Sequence, residues 1–181
     1  AAAKRALLYF HGGGFGFGSL RSHRALAAQI GHAAQAEVFT LDYRLAPEHP
    51  FPAALDDAVE AYQRLLSEGR DPQSVVLAGD SAGGGLAFAL AVRAKALGLP
   101  QPLGIVAISP WVDLSLSGDS IVTRAQMDPT LTVEGLAASG LHPIHALRLR
   151  RNFGKATALM VGVSAATGDL VVTMDGDLQN D

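Results

Sequence analysis

The run Ser74-Val75-Val76-Leu77-Ala78-Gly79-Asp80-Ser81-Ala82-Gly83-Gly84-Gly85-Leu86 decides the fold. Its first five residues are rich in Val and Leu without polar alternation, so 74–78 reads as a strand buried on both faces, as in a parallel sheet. Residues 83–97 read as a helix, stopped by Gly98 and Pro100. Between them lies Gly79-Asp80-Ser81-Ala82-Gly83, a G-x-S-x-G pattern on a strand-to-helix turn. The pattern alone is common by chance, and its context is what gives it weight. Two glycines permit the tight bend that thrusts a serine hydroxyl out at the carboxyl edge of a sheet. The helix N-terminus points at the same spot and favours developing negative charge there. The bland alternative is a serine that does no more than cap the helix of 83–97.

On either side of this turn, short apolar runs alternate with helical periods. That is the βαβα signature of an α/β fold, a mostly parallel sheet with helices on both faces. Further strands are expected at 7–10, 38–41 and 105–108. A first helix is expected after Ser22 as its cap, with Leu26, Ile30 and Ala33 on one face. A second carries Leu55, Val59, Tyr62 and Leu66 at helical spacing and stops at Gly69. The proline-studded segment 45–52 is irregular, as is 112–126, and 132–138 is a short helix. Beyond Gly140, strands at 144–149 and 170–174 flank a helix over 152–166 capped by Asn152. That βαβ unit is right-handed by rule and is expected to extend the sheet at the edge beside 105–108.

Composition narrows the function. The chain has 181 residues, 14 Lys+Arg against 17 Asp+Glu, a formal charge of −3 and no Cys. The charge balance leaves no basic footprint for nucleic acid. Without cysteine there is no disulfide framework, cysteine zinc site, iron–sulfur cluster or cysteine nucleophile. Charged residues make up 17%, against about 25% in an ordinary globular protein, so most of the chain is core elements. No apolar run approaches the roughly 18 residues of a membrane span, and Ala1-Ala2-Ala3-Lys4-Arg5 has no signal-peptide architecture. A soluble, cytoplasmic protein without a cofactor is the expectation.

His11-Gly12-Gly13-Gly14-Phe15, just after the first strand, offers backbone N–H groups that can converge on an oxyanion. Such donors are each worth about 10²–10³ in rate. A dinucleotide loop does not fit, because Gly14-x-Gly16-x-x-Ser19 lacks the last glycine of its fingerprint, although Asp42 stands where a ribose-binding acid would. No phosphate-cradling G-x-x-x-x-G-K-[ST] occurs either.

These two motifs, with Asp42-Tyr43-Arg44-Leu45-Ala46-Pro47-Glu48-His49-Pro50-Phe51-Pro52-Ala53-Ala54 and Ser109-Pro110-Trp111-Val112-Asp113-Leu114-Ser115, resemble the hormone-sensitive-lipase-like esterases over residues 1–138. The resemblance implies a truncated α/β-hydrolase core acting on carboxylic esters, with a small ester as substrate. It implies Ser81 as nucleophile, Gly13, Gly14 and Ala82 as oxyanion donors, and His11 and Asp80 in support. In that family the catalytic Asp and His follow the Ser on later loops. The resemblance ends near Ala138, before either, so an incomplete triad is expected. His23, His32, His49, His142 and His145 are read as surface or structural histidines, and Asp113 and Asp119 match no catalytic position.

Residues 139–181 resemble something else. Leu149-Arg150-Arg151-Asn152-Phe153-Gly154-Lys155 and the stretch from Thr167 through Asp175-Gly176-Asp177 to Asp181 are similar to nucleotide-sugar glycosyltransferases of the dolichol-phosphate mannose synthase type. There the resemblance implies metal binding by Asp175 and Asp177, which an extended chain points the same way. The chain thus reads as two pieces, a hydrolase core over 1–138 and a glycosyltransferase-like βαβ fragment over 139–181. Ester hydrolysis is the leading reading. Metal-dependent glycosyl transfer and a non-catalytic remnant with unpaired sheet edges are its rivals.

Overall fold

The computed structural model describes residues 5–114, residue 123 and the backbone of a strand at 170–174. Strands β1 (Ala6–Phe10), β2 (Glu37–Leu41), β3 (Val75–Asp80), β4 (Gly104–Ile108) and β5 (Leu170–Met174) form one sheet in the order β2-β1-β3-β4-β5. Every neighbouring pair is parallel. The strand expected at 170–174 is present and lies beside β4, with Ile105 opposite Val171. The expected elements at 132–138, 144–149 and 152–166, and the boundary at 138, lie outside the described residues.

Helices α1 (Leu20–Ala34), α2 (Ala53–Ser67) and α3 (Ala82–Ala96) cover the sheet. Strand alternation sends Leu8, Phe10, Val75, Leu77, Ile105 and Ala107 to one face, where they bury against α2 and α3. Leu7, Tyr9, Val76, Ala78 and Val106 point to the other face, towards α1 and its Ala27. α3 is buried on several sides at once, with Leu86, Ala87, Leu90, Ala91 and Ala94 all in the core. A helix apolar all round is a central one.

Two expectations need correction at α1. Ser19, not Ser22, is the N-cap, and Ser22 is the third helical residue of a reciprocal capping box. The buried face is Ala27 and Gly31, with Ile30 partly buried, while Leu26 and Ala33 are exposed. Small residues let this helix approach the sheet closely: a Cβ at Gly31 would strike Val38 of β2. β3 also runs two residues past the expected 78, taking in Gly79 and Asp80, and a short 3-10 turn, Pro72–Ser74, precedes it.

Candidate active site

Parallel strands deliver their following loops to one edge of the sheet. β1 and β3 are neighbours in register, Phe10 opposite Gly79. The residues that follow this pair, His11 after β1 and Asp80 at the end of β3, therefore lie side by side.

Ser81 is the hinge between β3 and α3, with φ 50° and ψ −119°. A non-glycine residue held at positive φ stores about 1–3 kcal/mol of strain and persists only where its surroundings over-determine it. Here they do: the Ser81 N–H donates to Ile108 O at 2.9 Å, and the Ser81 O accepts from Gly85 N–H at 3.1 Å and Trp111 N–H at 2.8 Å. The serine hydroxyl makes no capping hydrogen bond to α3, which removes the bland reading of Ser81 as a cap. The glycines around it are there for closeness. A Cβ at Gly79 would meet the Gly83 backbone and Phe10 O, one at Gly83 would meet Phe10 O and His11 O, and one at Gly85 would meet Trp111 O.

The loop of His11 to Gly18 sits against this elbow. Gly13 (φ 120°) and Gly14 (φ 58°) take left-handed conformations open to glycine. Gly13 O turns inward to accept from the N–H groups of Gly16 and Phe17, both at 3.0 Å. The Gly13 and Gly14 N–H groups reach no acceptor among the described residues. Ala82 is buried at the start of α3, where first-turn N–H groups have no intrahelical acceptor. Phe15, also at positive φ, buries its ring near Tyr43 and Trp111.

Beneath the loop lies a polar cluster. Asp80 Oδ1 accepts from Tyr9 OH at 2.7 Å and from Gly12 N–H at 3.0 Å. Its Oδ2 faces His23 Nε2 at 3.5 Å. His11 is buried, stacked on Tyr43 at 4.3 Å, with Nδ1 at 2.7 Å from Gly12 O and Nε2 without a partner among the described residues. Tyr43 OH donates to His11 O at 2.6 Å. Burial pushes the Tyr43 hydroxyl far above the usual phenol range, and the Asp80 charge adds to it. For Tyr9, burial acts first and the bond to Asp80 next, in the same direction.

Of the residues singled out from sequence, His11, Asp80, Ser81 and Ala82 lie at this edge, and Gly13 and Gly14 follow in the loop that Gly12 N–H ties to Asp80. His32 and His49 are exposed elsewhere. Asp113 offers its backbone O to Trp111 Nε1 at 2.9 Å. Asp119, His142, His145, Asp175 and Asp177 lie outside the described residues, and no metal-binding cluster occurs among those described. Tyr9, Tyr43 and His23 were not read as site residues. A lone polar hydroxyl in an otherwise apolar strand is the available signal for Tyr9.

A family model described as alpha/beta hydrolase fold matches residues 7–158. The chain belongs to this family. Within it, the chain is 46% identical over 149 residues to an acetyl-hydrolase of Streptomyces hygroscopicus, covering 79% of this chain and 50% of that protein. It is 36% identical over 139 residues to the hormone-sensitive lipase of Homo sapiens, covering 75% of this chain and 13% of that one. The crystal structure of an esterase from the bacterial hormone-sensitive lipase family superposes with a TM-score of 0.80 at 38% identity, over 97% of this chain and 68% of that one. The chain thus spans half or less of the length of the two sequence relatives. The hydrolase match runs to residue 158, past the boundary expected at 138. These comparisons lend no support to a glycosyltransferase origin for the tail. Among the described residues, no helix is long and apolar enough to cross a membrane.

Proposed function

We propose that this chain is the catalytic core of a carboxylic-ester hydrolase that works through an acyl-enzyme on Ser81. The observation that carries the reading is the Ser81 elbow. It is a strained residue at φ 50° whose hydroxyl does not cap α3, and the glycine loop tied to the neighbouring Asp80 through Gly12 N–H carries Gly13 and Gly14 N–H groups that reach no acceptor among the described residues. In this reading Ser81 Oγ attacks the ester carbonyl carbon and gives up its proton to a general base. The tetrahedral oxyanion is received by the N–H groups of Gly13, Gly14 and Ala82. Collapse expels the alcohol, which takes the proton back, and water then releases the acid from Ser81.

Among the described histidines, none hydrogen-bonds the Ser81 hydroxyl. His11 is occupied by Gly12 O, and His23 lies between Ser22 Oγ and Asp80. The base and its acid are therefore sought outside the described residues. An oxyanion hole and binding without them give only about 10³–10⁴ over water, which sets the floor for turnover.

The test is covalent. A fluorophosphonate probe followed by peptide mass spectrometry should place the adduct on Ser81, and Ser81→Ala should abolish both the adduct and the p-nitrophenol burst from p-nitrophenyl butyrate. An adduct surviving that substitution sinks the assignment.

A further inference from the structure

Building on the reading of Ser81 as nucleophile, we propose that Asp80 is the positioning residue that registers the glycine loop against Ser81, and that His23, reaching across from α1, holds Asp80 in place. The β1–β3 ladder ends at the Phe10–Gly79 pair. Beyond it, the Asp80 side chain makes the link between the two segments. One oxygen, Oδ1, accepts from Gly12 N–H at 3.0 Å and from Tyr9 OH at 2.7 Å. The carboxylate occupies the place a Cβ on Gly12 would need, so glycine at 12 is what lets the loop lie on it.

The other oxygen faces His23 Nε2 at 3.5 Å. His23 is itself anchored, with Nδ1 at 2.8 Å from Ser22 Oγ, the hydroxyl that donates to Ser19 O at 2.9 Å in the capping box of α1. Its ring stacks at 5.5 Å on His11. A continuous polar path therefore runs from the start of α1 through His23 and Asp80 to the first peptide of the glycine loop. On the other side of that peptide, Tyr43 OH grips His11 O at 2.6 Å.

Asp80 directly precedes Ser81, so one side chain ties the donors to the nucleophile and moves with it. Oxyanion donors act only when within about 2.7–3.1 Å of where the oxygen arrives. A displacement of about 1 Å costs on the order of 10² in rate. Because those bonds strengthen in the transition state, their misplacement lowers kcat far more than it raises KM.

The experiment compares the parent chain with Asp80→Ala, Asp80→Asn, His23→Ala, the Asp80→Ala/His23→Ala double variant and Ser81→Ala. Each is checked for its fold by circular dichroism, then read by burst kinetics with p-nitrophenyl butyrate and by the rate of fluorophosphonate labelling. Asp80→Ala should slow acylation and labelling about 100-fold with KM little changed. Asp80→Asn keeps a carbonyl oxygen for Tyr9 and Gly12 and should recover most of that loss. His23→Ala should cost rate in the parent but nothing further once Asp80 is alanine, as expected of two residues acting in series. If Asp80→Ala does not fold, the Asp80→Asn and His23→Ala rates carry the comparison. A folded Asp80→Ala that labels as fast as a parent labelled on Ser81 overturns this proposal alone. So does His23→Ala reacting at the parent's rate. A Ser81→Ala variant that still labels overturns the nucleophile reading and this one with it.

Discussion

Gly83→Ala is the substitution whose sign separates the close-packed elbow from an ordinary helix start. Gly83 lies in the first turn of α3, and in an unobstructed helix its replacement by alanine would stabilise by about 0.8–1.0 kcal/mol. Here the added Cβ would stand 2.5 Å from His11 O and 2.6 Å from Phe10 C, and nearer still to Phe10 O. Relief requires a retreat of roughly 0.9 Å between the helix start and the backbone of β1, which has no flexible side chain to give way. β1 cannot easily yield, because it is hydrogen-bonded to β2 on one side and β3 on the other. Overpacking of a rigid site costs about 1–3 kcal/mol, and backbone on backbone belongs at the upper end. Subtracting the propensity gain leaves a net loss of about 2 kcal/mol, or roughly 4–8 °C in Tm for a chain of this size. With the Phe10 carbonyl, that of His11, the first residue of the glycine loop, must also shift, so acylation of Ser81 should fall by about 10² as well. Thermal unfolding followed by circular dichroism gives the first number and the p-nitrophenyl butyrate burst the second. Gly16→Ala, whose Cβ would lie a comfortable 3.7 Å from Ala46 O, should be close to neutral in both. A Gly83→Ala protein as stable as the parent or more so would refute the argument, because propensity would then outweigh a clash that is not there.

Two further predictions concern pH. Burial raises the Tyr9, Tyr43 and Tyr62 hydroxyls above the usual value near 10, Tyr62 to about 12. Above pH 10 the unfolded chain sheds protons that the folded chain keeps, so this stabilisation is complete below about pH 10 and is lost as pH rises, by about 1.4 kcal/mol per pH unit for each tyrosine. Urea unfolding at pH 9 and 11 should show that loss, and Tyr62→Phe should shallow the slope; equal stability at both pH values would disprove it. At Asp57, partial burial pushes the carboxyl up, but its bonds to Arg44 (Nε to Oδ1 at 2.9 Å, the backbone N–H to Oδ2 at 2.8 Å) outweigh burial, and the net shift is downward. The pair's contribution is therefore present above about pH 4 and lost as pH falls through the lowered value. With Arg44 exposed, Arg44→Ala should lower the denaturation midpoint modestly at pH 7, and by less as the pH falls and Asp57 takes up its proton, as read by denaturant titration. A cost that does not shrink on acidification would show that the ion pair is not its source.

What the sequence made legible and what it hid follow from the range of the interactions. The Val75–Ala78 core of β3, the turn at Ser81 and α3 are each written in consecutive residues, and they fold where those residues indicate. Gly79 and Asp80 did not read as strand because both types are poor strand formers. They pair nonetheless, Gly79 with Phe10 of β1 and Ala107 of β4, and Asp80 with Ile108 of β4. At α1, apolar bulk pointed to Leu26. The sheet, however, selects for closeness, and Ala27 with Gly31 permits it where Leu26 would hold the helix away. The Tyr9–His23–Asp80 cluster was hidden for a different reason: its members come from two strands and a helix, and no periodicity links them. Alternation does connect them once topology is known. Val76 and Ala78 face α1, so Asp80, two residues on, faces α1 too, as does Tyr9 from the adjacent strand. The same alternation turns Gly79 to the opposite face, where it meets Gly83 of α3. One strand thus presents its carboxylate to α1 and its missing side chain to α3, and Ser81 emerges where the two requirements meet.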